Sequence, residues 1–221
     1  MRLKNVKEEI TMELISRKMT TQGRRDVYRL PGTTNLMVYH RFKSFLIDDK
    51  GNTISRKYDK MIQFKRGLAV FTRQEKKGVV NVNGVEVLDK LYENVSLDNG
   101  IIRICEKDQW GLADSDGTII CEPKYQFIEK FTDGYARFLV KDEEKGVKLW
   151  GIISKEGKII IEPKYFYLGT INTTRIVAQN IWGYGIIDIH ENVVVPFRYE
   201  RLRSNKERLL LFNSIEDNIV V

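Results

Sequence analysis

Few residues of this sequence are of types that perform acid–base or metal chemistry. Its histidines are His40 and His190, and its cysteines are Cys105 and Cys121. The cysteines lack Cys-x-x-Cys spacing and have no histidine nearby, which excludes the usual zinc-site patterns. We expect the cysteines to be small buried thiols in a reducing compartment. Each histidine is expected to be a polar surface residue rather than a general base.

The motifs that build catalytic sites are missing from the sequence as well. It holds no G-x-S-x-G, P-loop, G-x-G-x-x-G or H-E-x-x-H motif. Two pairs of adjacent acids, Asp48-Asp49 and Glu143-Glu144, fall in predicted loops, where solvated charge is the expected role. We therefore expect a protein that is not an enzyme and that uses no cofactor and no metal ion.

Composition and length are typical of a soluble globular protein. The chain has 221 residues, of which 42% are hydrophobic and 30% charged, which is enough for one medium or two small domains. No apolar run reaches the roughly 18–20 residues of a membrane span. The opening MRLKNVKEEI has no apolar core of a secretory signal, so we expect a cytoplasmic protein.

Positive charge is concentrated in the first part of the chain. Residues 1–90 hold 20 Lys or Arg against 10 Asp or Glu, whereas residues 91–221 hold 17 against 20. Such asymmetry favours an acidic partner, for example nucleic acid or an acidic protein. Most of these basic residues fall in predicted turns and loops, including a loop over residues 20–25. The predicted binding residues of this basic face are Arg24, Arg25, Arg29, Arg41, Lys43, Arg56, Lys57, Lys65, Arg66, Arg73, Lys76, Lys77, Arg201 and Arg203.

The most informative feature is an internal repeat. The stretch WGLADSDGTIICEPKY (110–125) recurs as WGIISKEGKIIIEPKY (150–165). With the residue after each Trp as the start, five copies begin near residues 45, 78, 111, 151 and 185. Thirteen or fourteen residues after each start stands a tyrosine, namely Tyr58, Tyr92, Tyr125, Tyr165 and Tyr199. Intervals of 33, 33, 40 and 34 residues predict a repeat architecture.

Within each copy the pattern predicts β-strands. Two short runs of apolar or β-branched residues flank a turn, and a third run follows, such as residues 135–138. The turns predict tight hairpins with positive φ at both central residues; they are Lys50-Gly51, Asn83-Gly84, Asp116-Gly117 and Glu156-Gly157. One hairpin and one strand cannot bury an apolar face alone, so neighbouring units are expected to stack.

Recurrence at a fixed phase indicates that the aromatic and glycine positions are structural. We expect each tryptophan to be wedged between units, the glycine after it to allow close approach or an unusual backbone, and each tyrosine to be a core ring. Copies one and two have Ser44 and Lys77 in place of tryptophan, so a binding face is expected there. The predicted structural residues are Trp110, Gly111, Gly117, Tyr125, Trp150, Gly151, Gly157, Tyr165, Trp182 and Tyr199.

These stretches resemble the WG repeat, also called the KWG repeat, of many bacterial proteins. Its pattern is roughly W-G-[apolar]-[apolar]-[DN]-x-x-G-x-x-[apolar]-x-P-x-[YF]-[DE]. The resemblance covers residues 45–212 and is most specific over residues 110–165, whereas the first two copies match only in phase. It implies an all-β repeat fold, no known enzymatic activity for most members, and a role as an interaction module.

The N-terminal residues differ from the repeat. A short amphipathic helix is predicted by apolar residues at helical spacing, namely Leu3, Val6, Ile10 and Leu14. A strand over residues 10–15 is the alternative. We assign residues 1–29 to an N-terminal cap segment and residues 30–221 to the repeat domain.

The two ends of the repeat domain are complementary. Residues 30–39 are in phase with the last strand of a copy, and residues 219–221 with the first strand of a sixth copy. Because the two ends could complete one shared unit, we prefer a propeller-like ring. An open β-solenoid is the alternative architecture.

Two functions are compatible with these features. The leading hypothesis is a non-enzymatic module that mediates protein–protein interaction through its β-repeat surface. The alternative is a basic adaptor or inhibitor, encoded by a phage or mobile element, that binds nucleic acid or a nucleic-acid-containing protein complex.

Overall fold

The computed structural model describes residues 12–20, 23–142, 144, 146–171, 175–204, 209–212 and 219–220. Throughout these ranges the regular secondary structure is β-strand, and every paired strand is antiparallel to its neighbours. The all-β prediction and the prediction of tandem antiparallel meanders are confirmed. The chain divides into two compact units, residues 1–123 and 124–221.

The first compact unit contains three sheets. The first sheet consists of β1 (Glu13–Thr20), β2 (Gly23–Arg29), β3 (Leu36–His40) and β4 (Lys43–Ile47). The second consists of β5 (Lys60–Met61), β6 (Leu68–Arg73) and β7 (Lys76–Asn81). The third consists of β8 (Asn94–Asp98), β9 (Ile101–Glu106), β10 (Gln109–Asp114) and β11 (Ile119–Tyr125), whose end passes into the second unit. Residues 53–58 and 86–92 extend the first two sheets through isolated bridges.

The second compact unit also contains three sheets. The fourth sheet consists of β12 (Phe127–Ile128), β13 (Tyr135–Asp142), β14 (Val147–Ser154) and β15 (Ile159–Tyr165). The fifth consists of β16 (Tyr167–Leu168), β17 (Ile176–Asn180), β18 (Gly183–Ile187) and β19 (Val193–Tyr199). The sixth consists of β20 (Arg201–Ser204), β21 (Leu209–Phe212) and β22 (Ile219–Val220). A strand therefore forms at residues 219–220, as the repeat phase predicts.

The sequence copies and the sheets are out of phase. The fourth sheet takes β12 and β13 from the copy that starts at Gly111, and β14 and β15 from the copy that starts at Gly151. The third strand of each predicted unit therefore pairs with the hairpin of the next copy rather than with its own. A sheet is completed only by the residues of two successive copies.

Neighbouring sheets within each unit pack face to face, as expected for stacked repeats. One core joins Met37 and Leu46 of the first sheet to Met61 and Phe71 of the second. In the second unit, another core joins residues of the fourth and fifth sheets, including Ile152, Ile161, Ile176 and Ile187. Burial of these side chains stabilises the array at about 25 cal/mol per Å² of apolar surface.

The first turn of each copy differs from the predicted two-residue hairpin. In the turn over residues 114–118, the Gly117 N–H donates to Asp114 O at 3.2 Å, and the Asp114 N–H donates to Thr118 O at 2.9 Å. Gly117 has positive φ, whereas Asp116 does not. The Asp114 carboxylate accepts the Asp116 and Thr118 N–H groups at 3.0 and 2.9 Å. A side-chain cap and a single glycine therefore set this turn, and positive φ at both positions is not required.

Turns with positive φ at both central residues do occur, but elsewhere in the copy. They connect β8 to β9 through Asn99-Gly100 and β9 to β10 through Lys107-Asp108. The glycines after Trp110 and Trp150 have a different role, because their φ is not in the left-handed region, whereas Gly183 after Trp182 has a φ of 122°. A Cβ on Gly111 would stand 2.7 Å from Pro123 N, and one on Gly151 would stand 2.6 Å from Ile161 O. Close approach of the outer strand is thus the reason for these glycines.

The N-terminal prediction is corrected in part. Leu14 belongs to β1, a strand, and not to a helix, while Leu3, Val6 and Ile10 lie outside the described residues. The alternative strand is present but begins at Glu13 and continues to Thr20. Because β2 ends at Arg29 and pairs with β3, the expected boundary at residue 29 falls inside the first sheet.

Candidate interaction surfaces

The recurrent tyrosines are core residues. Tyr58, Tyr92, Tyr125, Tyr165 and Tyr199 are all buried. Three of them stand directly opposite the residue at the tryptophan position of the same copy, in the pairs Ser44–Tyr58, Lys77–Tyr92 and Trp150–Tyr165. The Tyr165 hydroxyl donates to Glu191 Oε1 at 2.9 Å. The pKa of Tyr165 is raised, mainly by burial of the hydroxyl and secondarily by this hydrogen bond. Their burial is what a structural role in the core requires of the five tyrosines.

Two of the three tryptophans pack as predicted. Trp110 and Trp150 are half-buried, with the guanidinium carbons of Arg103 and Arg137 at 5.6 and 5.5 Å from their ring centroids. Arg137 also donates to Leu168 O, which belongs to the next sheet. Trp150 and its cation therefore lie at a junction between two sheets.

Trp182 does not occupy the structural tryptophan position. Tyr184, not Trp182, stands opposite Tyr199 in the pairing of β18 with β19. Trp182 lies in the turn between β17 and β18, and its side chain is 73% exposed. The assignment of Trp182 to the structural residues is therefore wrong. The sequence contained the signal, because Tyr184 directly precedes the start of copy five at Gly185.

Exposed apolar side chains collect at one end of the fifth sheet, where Phe166, Tyr167, Ile181 and Trp182 surround half-buried Tyr184. We call these five residues the aromatic edge. Tyr167 and Tyr184 both stand opposite Gln179, and their ring centroids are 6.1 Å apart. The Phe166 N–H donates to Gln179 O at 2.9 Å, which fixes the start of β16 beside this pair. Ile181 is 75% exposed at the adjoining turn. Regular strand pairing thus holds these side chains on one rigid element.

The corresponding positions of the second and third sheets are polar. Where the fifth sheet has Phe166-Tyr167 after its tyrosine, the earlier copies have Asp59-Lys60 and Glu93-Asn94. Where it has Ile181-Trp182 in the turn, the second and third sheets have Gln74-Glu75 and Lys107-Asp108, whereas the first sheet has Arg41-Phe42 with Phe42 exposed. The repeat fold therefore does not require apolar residues at these positions.

Several of the predicted basic residues are neutralised by acids. Arg73 makes two bonds to the Glu86 carboxylate, at 2.6 and 3.2 Å. Arg24 makes two bonds to Asp26, at 2.8 and 2.6 Å, and Arg17 approaches the same carboxylate at 3.1 Å. Arg73 and Arg17 link neighbouring strands in this way, whereas Arg24 and Asp26 both belong to β2; all three guanidinium groups are already engaged by an acid.

Within the first unit, the remaining predicted basic residues do not form one face. Arg25, Arg41, Lys43 and Lys76 lie at the ends of their strands nearest the turns β3–β4 and β6–β7, whereas Arg29, Lys65 and Arg66 lie at the opposite ends. Lys77 bonds Asn94 Oδ1 at 2.7 Å, Lys57 stands 5.6 Å from the Phe45 ring centroid, and Arg56 is exposed. Arg201 is exposed at the start of β20, and Arg203 lies in the same strand.

Thr20 and residues 23–25 are strand residues rather than part of the predicted loop, whereas residues 21–22 lie outside the described residues. Gly23, Arg24 and Arg25 are part of β2, and Thr20 ends β1. This strand places Lys18 and His40, which the sequence-based prediction of the basic face omitted, directly beside Arg25. Only cross-strand register could reveal these neighbours.

The chemically active residue types are dispersed in the fold. Among the described residues, no group of three or more His, Cys, Asp or Glu side chains is placed to hold a metal ion. Cys105 is buried, which raises the pKa of its thiol, and Cys121 is half-buried. His190 is exposed in a turn where its N–H donates to Asp188 Oδ1 at 2.8 Å. No helix in the described ranges is long and apolar enough to cross a membrane.

Comparison with known families agrees with the repeat geometry. A family model described as WG containing repeat matches residues 110–143, 150–172 and 184–207. The chain contains WG repeats. The matched WG repeats include the hairpin of Trp150 and the strands that carry Tyr184 and Tyr199, whereas the first two sheets lie outside them. No curated protein matches the sequence of this WG-repeat chain.

Solved structures similar to the WG-repeat chain have low sequence identity. A eukaryotic initiation factor is 10% identical with a TM-score of 0.40, over 88% of this chain and 71% of that one. Hsv2 of Kluyveromyces lactis is 8% identical with a TM-score of 0.35, over 82% and 74%. The Pan2 WD40 domain of Neurospora crassa is 12% identical with a TM-score of 0.32, over 86% and 72%. The order and pairing of the strands, rather than these similarities, define the fold of the WG repeats.

Proposed function

We propose that this chain is a non-enzymatic, cytoplasmic protein-binding module, and that the aromatic edge of the fifth sheet contacts the partner. The observation that carries the proposal is the exposure of Trp182 and Ile181, at 73% and 75%, on a turn where the second and third sheets are polar. Exposed apolar clusters on a soluble protein mark interaction sites.

The composition of the aromatic edge fits a protein partner. Tryptophan and tyrosine carry a large share of the binding energy in protein interfaces, because they bury much surface at little cost in side-chain entropy. Here Tyr167 and Tyr184 stand on paired strands and Trp182 stands on a two-residue turn between strands, so little ordering is needed on binding. The polar Gln179 and Asn180 beside them supply hydrogen-bonding groups for an interface rim.

The test is affinity purification of the tagged full-length chain from its native cells. We expect a protein recovered in stoichiometric amount with the wild type and lost with the double variant Ile181→Ser, Trp182→Ser. The matched control is Val193→Ser, Val194→Ser, which removes two residues of the same sheet that are 58% and 49% exposed. Val193 pairs with Ile187, at the far end of β18 from Trp182, so the control should keep the partner.

Treatment with nuclease during the purification separates the two hypotheses. A partner retained after nuclease supports direct protein binding. A partner released by nuclease from both variants alike would instead support the adaptor or inhibitor that acts on a nucleic-acid-containing complex. Recovery of no stoichiometric protein, with or without nuclease, would contradict the protein-binding module.

A further inference from the structure

A row of basic side chains crosses the first sheet near one end of its strands. Lys18 stands opposite Arg25, Arg25 opposite His40, and His40 opposite Lys43. Directly opposed residues of antiparallel strands project to the same face of a sheet. Three of the four side chains are exposed, and His40 is half-buried. We call these four residues the cation row.

Two members of the cation row, Lys18 and Arg25, have no neutralising acid among the described residues. Asp26 is adjacent to Arg25 in sequence and therefore projects to the opposite face, where it is 1% exposed and bound by two other arginines. Glu13 is at the other end of β1, 3.6 Å from Arg29. Across the described parts of the chain, Lys43 makes an ion pair with Asp59, whereas Lys18 and Arg25 make none.

This arrangement is unfavourable in the unliganded protein. Like charges at directly opposed positions destabilise a sheet, and Lys18 with Arg25 is such a pair. Natural sequences retain locally unfavourable choices chiefly at functional sites. An anionic ligand would convert the repulsion into attraction, so the cation row indicates a binding site for negative charge.

The shape of the cation row indicates an extended polyanion. Strands are about 4.8 Å apart, so four side chains cover about 14 Å in a line. One strand of a stacked nucleic-acid helix rises about 3.4 Å per nucleotide and an extended strand rises more, so a row of this length spans at most about four nucleotide steps. A small anion would instead require donors that converge on one point. The face carries a line of donors with no such convergence.

An exposed aromatic ring adjoins the cation row. Phe42 is 83% exposed in the turn between β3 and β4, next to Lys43. Its φ of 61° lies in the left-handed region, which is uncommon for a bulky side chain. Proteins that bind single strands combine a cationic track with aromatic rings on which bases stack. A duplex keeps its base faces stacked inside and offers none to Phe42.

We propose that the cation row and Phe42 bind single-stranded nucleic acid, with phosphates along the row and a base on the ring. The site is in the first compact unit and does not depend on the aromatic edge of the second. An oligonucleotide could therefore bind whether or not the protein-binding proposal holds.

The test is fluorescence anisotropy of a fluorescein-labelled uridine dodecamer titrated with the full-length chain. We expect binding at about 50 mM salt that weakens steeply toward about 200 mM. Lys18→Gln with Arg25→Gln removes two phosphate contacts, which should reduce the slope of log K against log salt by about 1.4. The corresponding loss of affinity for the dodecamer is on the order of 50-fold at about 50 mM salt. Phe42→Ala should weaken binding about 5- to 100-fold and leave the salt slope unchanged.

A charge-matched variant is the control. Lys65→Gln with Arg66→Gln removes the same net charge from the exposed turn that precedes β6 in the second sheet. The affinity of this control variant for the dodecamer should stay within about two-fold of wild type. The Lys18, Arg25 variant should melt no lower than wild type, because it relieves a like-charge pair. That result separates lost binding from lost folding.

Three outcomes would overturn the proposal. The first is no binding of the dodecamer at about 50 mM salt. The second is equal loss of affinity in the Lys65, Arg66 control, which would indicate only diffuse charge attraction. The third is tighter binding to phosphatidylserine vesicles or to polyglutamate than to the dodecamer, which would assign the row to a membrane or an acidic protein.

Discussion

Gly51 and Gly117 occupy the same turn in two copies and permit a controlled test of packing between sheets. Gly51 N–H donates to Asp48 O at 3.1 Å, as Gly117 N–H does to Asp114 O at 3.2 Å, and both glycines have positive φ. A Cβ on Gly51 would meet no atom within 4 Å. On Gly117 it would overlap the carbonyl oxygen of Val87, whose carbonyl carbon would be 2.5 Å away.

The two substitutions to alanine therefore share one cost and differ in another. Both place an L side chain in the left-handed region, which costs about 1–2 kcal/mol, offset by about 0.4–1 kcal/mol from the stiffer unfolded chain. Gly117→Ala additionally forces Cβ into the backbone of a neighbouring sheet, for which overpacking data give about 1–3 kcal/mol more. We expect losses of about 1 kcal/mol for Gly51→Ala and about 2–4 kcal/mol for Gly117→Ala.

Urea unfolding followed by far-UV circular dichroism measures these losses, with m-values compared to establish that the unfolded states are alike. In thermal scans of a chain of this length, the melting temperature should fall by about 2–4 °C for Gly51→Ala and about 4–16 °C for Gly117→Ala. Equal destabilisation by the two substitutions would refute the conclusion that the Gly117 turn packs against residues 86–92.

Three further predictions concern the aromatic positions and one ion pair. Trp150→Ser should lower the free energy of unfolding by about 2–3 kcal/mol, because the half-buried ring packs on the core, whereas Trp182→Ser should lower it by under about 0.5 kcal/mol. Urea midpoints compare the two variants. Equal losses would contradict the reassignment of Trp182. Arg73→Lys should lose about 1–2 kcal/mol because an ammonium cannot reproduce two bonds to Glu86; a double-mutant cycle with Glu86→Gln checks the coupling, and a coupling near zero would refute it. The raised pKa of buried Tyr165 means that its contribution is fully present below the unfolded pKa of about 10 and is lost as pH rises further. Urea midpoints from pH 7 to 11 should therefore fall above about pH 10, and less so for Tyr165→Phe; identical pH profiles for the two proteins would contradict this cause.

The repeat made much of the fold predictable from sequence. A buried ring at Tyr58 or Tyr199 follows from recurrence at one phase, since a residue needed in every copy serves the scaffold. Strand runs, glycine turns and stacking follow in the same way. The phase offset between sequence copies and sheets could not be predicted in this way, because the third strand of each copy pairs with a strand of the next copy.

The interaction surfaces were harder to predict. Lys18, Arg25, His40 and Lys43 are separated by 7, 15 and 3 positions in sequence, and only strand register places them in one row. Charge counting found the basic half of the chain but could not distinguish Arg73, which an acid neutralises, from exposed Arg25. Trp182 was misassigned because its Trp-Gly pair matches the motif while the pairing of Tyr184 with Tyr199 decides the structure.

The phase offset between sequence copies and sheets determines which duplications and deletions in the gene preserve complete sheets. Each sheet is shared by two successive copies, so a duplication of one repeat length supplies the strands for one more sheet wherever its breakpoints fall. Loss of part of a copy has the opposite effect, because it leaves unpaired strands in the sheets on both sides of the deletion. Insertion or deletion of a whole repeat length is thus tolerated wherever its breakpoints fall. Deletion of part of a repeat disrupts two sheets.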